Sequence, residues 1–287
     1  MGDSISVTVL VENTAQGRGL MGEHGLSFHV QAGGASAIFD TGQSGLVARN
    51  AAALGVDLAA VAAVALSHGH YDHTGGLRAV WELAPGARLF VHPAALAPHF
   101  SRGSDGTARE VGTDPLTLQA IRSRSCGVVE ARCVTEVLPG VFLTGEIPRV
   151  TGYEDVGGPF FLDDAGTRRD PIIDDQAMFF DTSEGVVVLL GCAHAGVVNT
   201  LRHIRQLSGD RPIGAVLGGM HLLVASPERM GRTVDALRAL GVRRLCPAHC
   251  TGAAATARLW HEFPGACGTC SVGSRFVFGG PSAHRSL

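Results

Sequence analysis

The sequence contains no lysine, so all 23 basic residues are arginine. That reads as base-composition bias of GC-rich coding DNA, not as chemistry. No basic run occurs, and the formal net charge is −3. Tight nucleic-acid binding normally needs a basic face, so nucleic acid is not an expected partner. No stretch approaches the ~18 consecutive apolar residues of a membrane span. The start, MGDSISVTVLVENT, lacks a basic segment followed by an apolar block. No signal peptide or membrane association is therefore expected, and the cytoplasm is the expected compartment. Repeats of roughly 20 to 50 residues and low-complexity linkers are also missing. Residues 1–287 read as a single domain. The cysteine count is odd, at seven, and most of these residues sit beside apolar runs. Reduced thiols are expected in place of a disulfide framework.

What the chain does have is short apolar runs followed by helical patterns. SAIFD (36–40) precedes a helical stretch near 44–54, and VAAVALS (61–67) runs into SHGHYDHTGG. GVVVLLG (185–191) stops at CAHAG, IGAVLGG (213–219) stops at MH, and RRLCPA (243–248) stops at His249. Helical patterns follow these three, the last two near 227–240 and 253–262. Runs that are apolar throughout and bounded by glycine or polar residues suit buried strands. Their alternation with helices predicts an α/β architecture. The segment from about 98 to 175, rich in Gly, Pro, Asp and Arg, reads as long loops over the site.

Within SHGHYDHTGG, four residues have metal-ligand side chains: His68, His70, Asp72 and His73. Gly75 and Gly76 are expected to permit a tight turn into the next helix. Three further histidines, His194, His221 and His249, end apolar runs in small-residue contexts. Ligands of open α/β sheets gather at the carboxyl ends of strands. Together these residues predict a metal site. Cys246, Cys250, Cys267 and Cys270 have a spacing resembling a structural zinc pattern. His249 interrupts the first pair, so buried thiols are the expectation there. His92, His99, His203, His261 and His284 are expected on the surface or in packing. Asp40 is expected to tie loops near the site.

HGHYDH resembles the H-x-H-x-D-H signature of the metallo-β-lactamase superfamily. IFDTG, before it, resembles the family's early Asp-bearing strand end, and GCAHAG and CPAHC lie where its later ligand histidines belong. The branch it is most similar to is the dihydropterin-ribofuranosylaminobenzene-phosphate synthase-like one. VLVENT, GEHGLSFHV, GEIPRVTGYE, DDQAM, GCAHAGVVNT, GGMHL and CPAHCTG carry that likeness, from residue 9 to 252. The resemblance implies a four-layer αββα sandwich with two divalent metal ions, zinc before iron or manganese. His68, His70 and His194 would serve the first ion. Asp72, His73 and His249 would serve the second. Most of the superfamily has a bridging aspartate where this chain has His221. An imidazole has one lone pair to give, so His221 would bind one ion or stand behind a ligand.

Zinc lowers the pKa of a bound water from about 15.7 toward about 7. A metal-bound hydroxide would then attack a small-molecule ester, lactone, amide or phosphoester, with Asp72 also orienting it. Arg149 is a candidate for a substrate carboxylate or phosphate, and His24 for lining the site. Glu146 and Asp175 are candidates for supporting the ligand histidines. The alternatives are the transfer reaction of the synthase-like branch and an iron-dependent redox role. A small-molecule substrate is the expected partner, with a homo-oligomer left open.

Overall fold

Strand Gly185–Leu190 is apolar along its length because both of its faces are covered. Val187 and Leu189 point into the core between two large sheets, whereas Val186, Val188 and Leu190 pack against helices. The same alternation organises the rest of a computed structural model that describes residues 4–124 and 127–279. His284 and Cys126 lie outside the described residues.

The first sheet has seven strands, in the spatial order Arg275–Phe278, Ile5–Val11, Ser27–Ala32, Ala35–Phe39, Ala63–Ala65, Arg88–Val91 and Val128–Glu130. Its first four strands pair antiparallel, and pairing is parallel from Ala35–Phe39 onward. The second sheet has six, in the order Arg244–Ala248, Ile213–Gly219, Gly185–Leu190, Ala177–Thr182, Val141–Leu143 and Thr135–Leu138. Its three parallel strands are the apolar runs that end in histidine.

Phe28, Phe39 and Phe90 of the first sheet meet Met178, Phe180 and Leu217 of the second in one buried core. Helices Leu46–Ala53 and Leu77–Leu83 cover the outer face of the first sheet. Helices Val197–Leu207, Pro227–Ala239 and Ala253–Glu262 cover the outer face of the second. The result is the expected αββα sandwich. Among the described residues, no helix is long and apolar enough to cross a membrane.

The 98–175 segment is more ordered than its composition suggests. It supplies strand Val128–Glu130 to the first sheet and two strands to the second, Thr135–Leu138 and Val141–Leu143. It also carries helix Pro115–Ser123, whose Asp114 side chain accepts bonds from Leu116 N and Thr117 N. Strands Phe160–Phe161, Phe100–Arg102 and Ala108–Glu110 form a small third sheet. Strands of two to four residues are too short to show an alternation in sequence.

Candidate metal centre

All the predicted ligands lie beyond the carboxyl ends of strands. After Ala63–Ala65 the chain bends through 66–70 and begins a short helix, Tyr71–Thr74, with His70 at its N-cap. Asp72 and His73 therefore sit on a helical turn. Gly75 and Gly76 have ordinary negative φ values, so turning is not what they supply. They allow close approach: a Cβ on Gly76 would lie 2.1 Å from Thr41 O, and one on Gly75 2.3 Å from Gln43 O.

Hydrogen bonds fix where each imidazole keeps its lone pair. Ser67 Oγ gives its proton to Asp40 Oδ2 at 2.7 Å. It can therefore only accept from His68 Nδ1, 2.9 Å away. That leaves the lone pair on His68 Nε2, which faces His70 Nδ1 at 3.1 Å. His194 Nδ1 donates to Val156 O at 2.8 Å. Its Nε2 is buried with no hydrogen-bond partner, and its ring lies 4.8 Å from that of His68 and 4.9 Å from that of His70. Burial lowers the basicity of all three, His70 to about 3. They are neutral imidazoles at ordinary pH, the form in which a histidine can serve as a ligand.

The second set has the same logic. His73 Nδ1 bonds Asp40 Oδ2 at 2.7 Å, and His249 Nδ1 bonds Asn13 Oδ1 at 2.9 Å. Their Nε2 atoms both face Asp72 Oδ2, at 3.6 and 3.1 Å. Burial opposes charge on His73, but Asp40 and Asp72 raise it to about 9. Acceptor atoms packed this closely need protons or a cation between them. A buried nitrogen without a partner and two converging acceptor sets fit divalent cations, and binding there would displace the His73 proton.

Asp40, fully buried, holds this centre in place. Its carboxylate accepts from Ser67 N, Ser67 Oγ and His73 Nδ1, each at 2.7 Å. The tie expected of it thus reaches a ligand ring directly, as carboxylate–histidine–metal arrangements do. Glu12 and Asn13 were not read from the sequence as site residues. Glu12 Oε1 accepts from His249 N at 2.8 Å, and with Asn13 it clamps a residue held at φ 51°. Only their place after an apolar strand hinted at this.

His24 lines the site as expected, with Nε2 3.2 Å from Asp72 Oδ2 and its side chain 55% exposed. His221 Nε2 bonds Gly157 O at 3.2 Å, and its ring lies 4.2 Å from that of His194. One of its ring nitrogens lies within 4.8 Å of the sulfurs of Cys192 and Cys250. Arg149 is not turned toward a substrate: its guanidinium donates to the carbonyls of His194, Pro171 and Ile172. Three convergent carbonyls take its fork and tie the 194 loop to the 171–172 turn. Glu146 pairs with His92 at 3.1 Å, outside the cluster. Asp175 supports the loop of His194 through Ala195 N, at 2.7 Å, and burial pushes its carboxyl up to about 7. Asp174, which was overlooked, holds the other side by accepting from Gly69 N at 2.8 Å.

His92 and His99 are buried, not superficial, and His99 bonds Asp170 at 2.6 Å. Cys250 turns toward Cys192 and His221. Cys246 and Cys267 are thiols whose pKa values burial raises to about 11 and about 12. Replacing Cys267 with serine is accordingly expected to leave the metal content of the purified chain unchanged. Loss of one zinc per chain would revive the structural-zinc reading.

A cleft of about 750 Å³ opens over the cluster, walled by Tyr71, Phe160, Leu223 and Trp260. Phe160, from the small third sheet, packs against His70 and His194 with ring centroids 5.0 and 5.3 Å apart. Arg109, on the same sheet, is the one arginine of the described lining. Its guanidinium lies over Tyr71, 5.2 Å from the ring centroid.

Residues 21–249 match the metallo-beta-lactamase superfamily, and the chain belongs to it. A solved structure, Tm1679, described as a metal-dependent hydrolase of the beta-lactamase superfamily, is 33% identical. It superimposes with a TM-score of 0.80 over 95% of this chain and 98% of that one. A relative from Methanocaldococcus jannaschii, 7,8-dihydropterin-6-methyl-4-(beta-D-ribofuranosyl)-aminobenzene-5'-phosphate synthase, is 30% identical over 91% of this chain and 92% of its own. The Zn(2+)-bound PqqB of Methylobacterium extorquens shares the fold at a TM-score of 0.57 and 14% identity, covering 96% of this chain and 99% of that one.

Proposed function

We propose that the chain is a dinuclear zinc hydrolase acting on a small ester or phosphoester that carries an anionic group. The observation that carries this reading is the pair of converging acceptor sets beneath an open cleft. His68, His70 and His194 form one set, and Asp72, His73 and His249 the other. Cations bound there would supply Lewis acidity and a water acidic enough to attack at neutral pH. The protein's own residues supply the rest. Asp72 Oδ2 orients the attacking water. His24 Nε2, at the open side of Asp72, holds a proton within reach of a leaving oxygen. Phe160, packed on His70 and His194, gives the reacting face an apolar wall. Arg109 offers a guanidinium to a substrate phosphate or carboxylate.

The test is an assay of the zinc-loaded chain on phosphomonoesters, phosphodiesters, lactones and carboxylic esters. Turnover is expected on at least one anionic ester. Arg109→Ala should raise KM for that substrate about tenfold, the loss of roughly one charge-assisted hydrogen bond, with kcat nearly constant. An unchanged KM would remove Arg109 from recognition.

The M. jannaschii relative supports a second reading, a transfer that joins a methyl-pterin unit to a ribosyl-aminobenzene phosphate. Product formation from those two substrates, with no hydrolysis of any ester in the panel, would replace the first reading by the second.

A further inference from the structure

One further side chain lies where an anion could span both acceptor sets. Cys192 Sγ lies within 4.8 Å of ligand nitrogens of His68 and His194, and also within 4.8 Å of those of His73 and His249. It is 3.2 Å from His73 Nε2. Its sulfur is thus an anion-capable atom close to nitrogens of both sets. Cys192 itself is buried, and the partnerless Nε2 of His194 is aimed into the same space.

We propose that Cys192 is a thiolate ligand shared by the two cations. This rests on the dinuclear reading above. Binding breaks the Cys192 S–H bond, sends its proton to solvent and forms sulfur–metal bonds, as thiolate ligation requires. The backbone favours the placement: Ala193, at φ 56°, bends the chain sharply between Cys192 and His194, so both side chains reach the same centre. Cys250 has a separate part. Its thiol lies against Cys192 O at 3.5 Å and within 4.8 Å of ligand atoms of His221 and Cys192.

The experiment is zinc-edge X-ray absorption on the intact, zinc-loaded chain, with cobalt substitution as a second readout. A shared thiolate predicts one sulfur per zinc at about 2.3 Å, and the same count in Cys250→Ser. One sulfur per two zincs, or none, overturns the bridge, as does a halved count in Cys250→Ser. In the cobalt-loaded protein a sulfur-to-cobalt charge-transfer band is expected in the near ultraviolet. Cys192→Ser should lose it and Cys250→Ser should keep it; the reverse pattern also overturns the proposal. If Cys192→Ser does not fold, the zinc-edge sulfur count of the wild type and Cys250→Ser decides alone. None of these readouts uses a substrate, so failure to hydrolyse any ester would sink the proposed function and leave the sulfur count to stand or fall separately.

Discussion

His70→Ala is expected to leave the chain folded, short of one zinc, and slower by about 10²–10³-fold, the scale of losing one preorganised electrostatic group. His70 brings its Nδ1 within 3.1 Å of His68 Nε2 and caps the turn that presents Asp72 and His73. The side chain also fills space beside Phe160 and His99, so some stability is lost with it. Metal analysis and kinetics therefore need to be read beside a melting curve taken with chelator present. Two zincs per chain and full turnover in the variant would remove His70 from the ligand set.

Asp40→Asn tests the support beneath the second set. The carboxylate accepts three hydrogen bonds of 2.7 Å. A carboxamide has one acceptor oxygen and presents an NH₂ on its other side, so at least one buried donor among Ser67 and His73 must lose its partner. His73 then loses what fixes its tautomer and ring angle. The expected result is a 10- to 100-fold weaker hold on one of the two zincs, the usual range for such a partner. Competition against a chelator measures it. Identical zinc affinities in wild type and variant would reduce Asp40 to a loop tie with no bearing on the metal.

The convergence of the histidines was legible because imidazoles at the ends of apolar runs are conspicuous, and because strand ends converge in an α/β sheet. The α/β character followed from continuous apolar strands such as Gly185–Leu190, which need cover on both faces, and the four layers from the resemblance to the superfamily. What stayed hidden depends on distant contacts. Asn13 reaches His249 across 236 positions of sequence, and no local pattern announces such a bond. The direction of Cys192 stayed hidden because nothing in GCAHAG tells which way a short side chain turns beside a neighbour at φ 56°. Arg149 failed the other way: its charge suggested a substrate anion, but carbonyl oxygens occupy it.

His68 follows a strand of one sheet and His194 a strand of the other. Any cation that both hold is thus a rivet across the seam between the two halves of the sandwich. Its binding free energy becomes cohesion between those halves. The heat resistance of this chain is then no fixed property of its sequence but a function of how much free metal surrounds it.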